Sequence, residues 1–125
     1  GSAMAATPTY ERASGVLDSD GNVNQVKNNE NVIVVGGPNA NSLTQELVDD
    51  NQTMPASDYT DGEGMIQMVD GWSEGNSALV VAGYEGDDTR RAAEFLADYR
   101  NNQGDLEGNT QVTIEASSGN VISSQ

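Results

Sequence analysis

The chain has 125 residues, room for one domain with a modest core. Twenty acidic residues face five basic ones, giving a formal charge of −15, and there is no histidine or cysteine. Those counts exclude a phosphate-neutralising patch for nucleic acid, an anionic membrane surface, disulfides, Cys/His zinc sites, and any thiol or histidine catalyst.

No apolar run approaches the roughly 20 residues a membrane helix needs, so membrane insertion by this segment is not expected. A signal peptide or anchor could lie outside it. A charge of −15 repels itself at low ionic strength. At about 1 M salt the Debye length falls to roughly 3 Å and the repulsion is screened. Many carboxylates, a single lysine (Lys27) and few large apolar residues read as a surface built for concentrated salt.

Residues 1–4 read as an expression scar, and 5–125 as a single α/β domain. Residues 5–30 are polar and turn-rich, with a small apolar island at Gly15–Leu17 that suits a short edge strand. Asp18–Asn24 partly matches a calcium loop. Aligning Gly21 with the loop glycine puts Val16 and Lys27 where oxygen donors are required, which excludes an EF-hand. A turn remains, with Asp18, Asp20 and Asn22 as candidate ligands for weakly bound calcium or a monovalent cation.

Asn31–Val35 is a β-branched run ending in Gly36-Gly37-Pro38, and it reads as a strand buried on both faces. A helix follows, with Ser42 as its cap, Gln45 completing a capping box, and Leu43, Leu47 and Val48 facing inward. Residues 49–64 form a loop. Met65–Val69 fits either helical or strand spacing, and a hairpin through Asp70-Gly71 into the next strand is preferred. Ser77–Gly83 is the second buried strand. A helix runs from Asp88 to about Asn101, capped by Asp87 or Asp88, with Thr89, Ala92, Leu96 and Tyr99 on one face. Gln111–Glu115 alternates as a half-buried strand and turns into Val121-Ile122. The expected fold is therefore α/β: a small sheet with parallel βαβ units, two main helices and a C-terminal hairpin.

Ligands of open α/β sheets gather outside the carboxyl ends of the strands. This makes Gly36, Gly37, Asn39, Gly83 and Tyr84 the candidate ligand-binding residues. The glycines lack G-x-G-x-x-G spacing and no P-loop lysine follows, so a tight turn for helix–sheet packing explains them equally. Arg90-Arg91, adjacent in a chain so poor in bases, could grip a carboxylate, or simply pair with Asp87 along the helix. Asn51-Gln52-Thr53 is the sole glycosylation sequon, and Asn51 is its acceptor. Trp72, Tyr59 and Tyr84 are the candidate aromatic contacts for a glycan. No pair of carboxylates stands out as catalytic.

Two segments carry a family resemblance. Asn31–Asn41 (NVIVVGGPNAN) resembles the VIVVGGP-x-AN signature of archaeal surface-layer proteins of the methanococcal and thermococcal type. Ala78–Ala93 (ALVVAGYEGDDTRRAA) is similar to that family's second signature, a VVAG strand followed by a DT-x-x-AA helix. Bacterial cell-wall-binding repeats are similar in the first motif only. The resemblance implies a non-enzymatic, secreted structural domain at the cell surface, often glycosylated, with itself or other envelope proteins as partners and no cofactor. With the acidic surface it points to a halophilic archaeon. The chain is far shorter than a whole surface-layer protein and reads as one domain of a longer chain. The alternative from another class is an extracellular wall-polysaccharide or small-ligand binding module.

Overall fold

The computed structural model describes residues 31–73 and 75–125. The short strand expected at Gly15–Leu17 and the cation loop at Asp18, Asp20 and Asn22 lie outside these residues. The elements in order are β1 (Val32–Val35), α1 (Ser42–Asp49), a 3-10 turn (Ala56–Asp58), β2 (Glu63–Ser73), β3 (Asn76–Gly83), α2 (Gly86–Ala97), α3 (Tyr99–Leu106), β4 (Gln111–Glu115) and β5 (Val121–Ser124).

The described strands form one sheet in the order β1-β3-β2-β4-β5. The two strands that echo each other in sequence are its parallel neighbours, β1 and β3. They pair in the register of the echo, Val32 with Ala78 through Val35 with Val81. The other neighbours are antiparallel, so the fold is α/β as expected, with one parallel pair among the described strands rather than several βαβ units. The reason is the hairpin: the chain leaving α1 crosses to the far side of β3, enters β2, and returns as β3. Met65–Val69 is strand, and the strand runs on past Asp70-Gly71 to Ser73 through an irregularity in register after Val69.

Helices cover both faces. On one face Leu43 and Leu47 of α1 pack with Val34, Tyr59, Met65, Val69, Val80 and Ala82. On the other, Ala92, Tyr99 and Leu106 of α2 and α3 pack with Ile66, Val81, Val112 and Ile114. The continuous apolar run of β3 follows, since its alternate side chains enter different cores.

Local detail departs from expectation in four places. Asn41, not Ser42, caps α1: its side-chain oxygen accepts from the Leu43 N–H at 2.9 Å. Gln45 donates forward to Asp49 rather than back to a cap. The N-cap of α2 is Glu85, and Asp88 reaches back to accept from the Glu85 N–H at 3.1 Å. The single long helix is two, with α2 ending at Ala97 and Asn102 of α3 donating to the Phe95 carbonyl at 2.8 Å. Residues Tyr99–Leu106 include Gly104 and two asparagines, poor helix formers. Burial of Tyr99 and Leu106 in the second core holds them.

The main correction concerns β1. It was expected to be buried on both faces, yet Val34 is 2 % exposed while Ile33 is 62 % and Val35 52 % exposed. A β-branched run states that a strand forms, but not where in the sheet it lies. Among the described residues β1 is an edge strand covered by α1 alone.

Candidate functional site

The carboxyl ends of β1 and β3 bring Gly36, Gly37 and Gly83 together. Gly36 has φ 117°, which an L side chain rarely adopts. Its N–H donates to the Val81 carbonyl at 2.8 Å, and its carbonyl accepts from the buried Thr44 hydroxyl of α1 at 2.7 Å. The Gly37 carbonyl accepts from the Ala40 and Asn41 N–H groups. A Cβ on Gly37 would lie 3.2 Å from the Tyr59 ring and 3.6 Å from the Gly83 carbonyl oxygen. A Cβ on Gly83 would lie 2.6 Å from the Thr89 nitrogen in the first turn of α2. Gly64, the register partner of Gly83, would meet the Asp88 carbonyl oxygen at 2.6 Å. The space expected for a ligand at this end of the sheet is thus occupied by the protein: Tyr59 lies against Gly37, and α2 lies on Gly64 and Gly83. Asn39 and Tyr84 are exposed on the rim.

Tyr59 is buried in the first core, and its hydroxyl has no hydrogen-bond partner among the described residues. Burial pushes its pKa from 10.0 up to about 12, because the phenolate would be stripped of water. Of the other candidate aromatics, Trp72 packs partly buried against the same core, and Tyr84 is 52 % exposed.

The arginine pair is split. Arg90 lies on the outside of α2, with Asp87 at 3.5 Å and Glu94 at 3.9 Å, as an exposed helix-surface cluster. Arg91 points to the β4–β5 turn, where its guanidinium lies against Gly119 and its NH1 is 3.5 Å from Glu94. Its Nε is buried without a partner among the described residues. Arg91, Phe95, Asp98, Asn102 and Ser118 line an open cleft of about 280 Å³ between the helices and that turn. Sequence reasoning missed this cleft. Adjacent arginines signal a cluster, but Ser118 and Gly119 are joined to them only by the tertiary fold.

Asn51 has φ 58° and ends α1 in a Schellman arrangement: its N–H donates to the Val48 carbonyl, and the next N–H, of Gln52, to the Leu47 carbonyl. Its side chain is exposed. Thr53, the third residue of the sequon, is buried, and its hydroxyl donates to Gln67 at 2.6 Å. Among the described residues no group of three or more acids is placed to hold a metal ion. No described helix is long and apolar enough to cross a membrane.

The geometry defines an α/β packing domain, with glycines set for close helix–sheet contact. The model of the S-layer like family, outer domain, matches residues 8–100, and the chain belongs to this family. It is 45 % identical over 67 residues to an S-layer protein of Methanothermococcus thermolithotrophicus, a match covering 54 % of this chain and 11 % of that protein. It is 33 % identical over 91 residues to an S-layer protein of Methanococcus voltae, covering 73 % of this chain and 15 % of that protein. The matches thus span only a small part of each relative's length. No solved structure gives a significant match.

Proposed function

We propose that this chain is a non-enzymatic structural domain of an archaeal surface-layer protein, lying outside the membrane and making protein–protein contacts. The family match across residues 8–100 carries the reading. Two named S-layer relatives support it. Immunolabelling of intact producing cells with an antibody to this chain tests it. Surface labelling, with the protein retained in the envelope fraction, is the expected result; a cytosolic protein would overturn the proposal.

Salt adaptation belongs to the same proposal and rests on the charge alone. The expected outcome is a Tm that rises clearly between about 0.1 M and 3 M KCl, as screening removes the self-repulsion of 20 acids. Equal Tm values would remove salt adaptation and leave the envelope role standing. Asn51 is the proposed glycan acceptor. Its exposed side chain would carry a sugar outward, and the engagement of Thr53 with Gln67 implies attachment before this loop closes. The cleft beside Arg91 favours a second reading, a wall-polysaccharide or small-ligand module, because polar groups there flank the partly buried Phe95 ring. Saturable binding of wall polysaccharide, lost in Asn102→Ala, would establish that reading.

A further inference from the structure

Among the described residues the two outer strands of the sheet, β1 and β5, share a property. Neither Val32–Val35 nor Val121–Ser124 contains a charged residue or a proline. Edge strands of soluble proteins usually carry such devices to prevent pairing with another chain. Both strands are four residues long.

Among the described residues their backbones are open on the outer side. The bond from the Gly36 N–H to the Val81 carbonyl turns the even-numbered residues of β1 toward β3. The N–H and C=O of Ile33 and Val35 therefore point away from the sheet, and of these the Val35 carbonyl is taken by the Asn41 side chain at 3.1 Å. At the opposite edge Gln111 and Gln125 exchange both backbone bonds, which turns the N–H and C=O of Ser124 outward. Strand sense is complementary as well. β1 runs with β3, β3 against β2, β2 against β4 and β4 against β5, so β5 runs antiparallel to β1. A second copy set beside the first in the same orientation thus presents β5 to β1 in the antiparallel sense.

Side chains point the same way. Ile33 and Val35 are exposed β-branched residues on the face that α2 and α3 leave bare, and Ile122 is 49 % exposed on β5. Two copies carrying −15 each repel over most of their surfaces, and the charge-free edges are where close approach costs least once salt screens the remainder.

We propose that β1 of one copy pairs with β5 of a second copy, Ile33 opposite Ser124, continuing the sheet from molecule to molecule. The inference rests on the envelope reading, since it names the contact by which such domains would join. Because the contact is heterologous, each copy keeps one edge open after pairing, and copies add head to tail beyond a dimer.

Sedimentation velocity in about 1 M salt, where the Debye length is roughly 3 Å, tests it. Wild type should gain mass with concentration, and more strongly at 1 M than at 0.1 M salt. Ile33→Pro and Ser124→Pro each remove an outward N–H and leave the internal ladder intact. Each alone should self-associate about tenfold or more weakly, and the two mixed should form a one-to-one dimer through their unaltered edges. Ile33→Glu and Ser124→Glu, at exposed positions, repeat the test where a proline variant fails to fold by circular dichroism. A monomeric wild type at every concentration overturns the proposal. So does a Ser124→Pro protein that assembles like wild type, the mark of β1 pairing with itself, or a mixture that stays monomeric. None of these outcomes moves the surface-labelling result, so the edge contact can fail while the envelope reading stands.

Discussion

Among the described residues β1 and β4 are both covered by helices on one face only, yet they treat the other face differently. In β4, Val112 and Ile114 are buried under α2 and α3, while Gln111, Thr113 and Glu115 face the uncovered side. That is the alternation a half-buried strand should show. In β1, Val34 is buried under α1, but the uncovered side carries Ile33 and Val35. Partial cover is thus matched by polar chemistry at one end of the sheet and left apolar at the other. The uncovered apolar strip on β1 is the surface used by the proposed contact, and the covered sides test whether the two strands differ otherwise.

The largest effect should come from those covered sides. Ile114→Ala removes a fully buried side chain and should cost about 3 kcal/mol; Val34→Ala, smaller, about 2 kcal/mol, both read from urea unfolding midpoints. Near equality of the two would mean that β1 is anchored as firmly as β4.

Gly83→Ala comes next. Its Cβ would lie 2.6 Å from backbone atoms of α2, so the helix must shift, at about 2 kcal/mol. Such a change works on β3, the neighbour on which β1 depends. An unaltered Tm would show that α2 gives way at little cost.

Tyr59 supports the covered side of β1, and it makes that end sensitive to alkali. Its folded pKa of about 12 lies above its ordinary 10.0, so the fold favours the neutral phenol. The contribution is complete below pH 10 and lost as pH rises toward 12, on the order of 2 kcal/mol. Tyr59→Phe should leave stability at pH 7 nearly unchanged, since the hydroxyl has no partner among the described residues, and should flatten the decline. Parallel alkaline titrations of both proteins by circular dichroism check this.

The smallest effect separates the open sides. Ile33→Thr should alter monomer stability by under about 0.5 kcal/mol, as at an ordinary surface position. A large loss in dilute protein would show Ile33 to be held within its own chain and would remove the contrast with Thr113.

Much was legible because local chemistry and the fold agreed. The alternation of apolar strands and helices pointed to parallel neighbours, and the structure aligns Val32–Val35 with Ala78–Val81 residue for residue. The apolar stripe of α1 placed Leu43 and Leu47 correctly. The alternation of β4 named its buried face. The α1 cap slipped because Asn41 and Ser42 are adjacent residues with similar capping ability, and only backbone angles choose between them. The α2 cap slipped because Glu85, two residues before Asp87, is not a preferred capping type and takes the position through its reciprocal bonds with Asp88. The glycines were legible as a turn, but their occupants were not: Tyr59 reaches Gly37 from a loop 22 positions onward, and nothing in its neighbours announces that contact.

Sequence alone determined the charge, the exclusion of thiol and histidine chemistry, the existence of most strands and helices, and the two motifs that mark the family. These depend on residue type and short-range period, which no distant contact alters. Tertiary structure decided that β1 is an edge among the described strands, that Arg91 turns to Gly119 while Arg90 faces outward, that Thr53 is buried, and that α3 exists at all. Each depends on what lies across the sheet or beyond a loop. A valine has the same chemistry at an edge as at the centre, and only the number of covering neighbours sets the two apart.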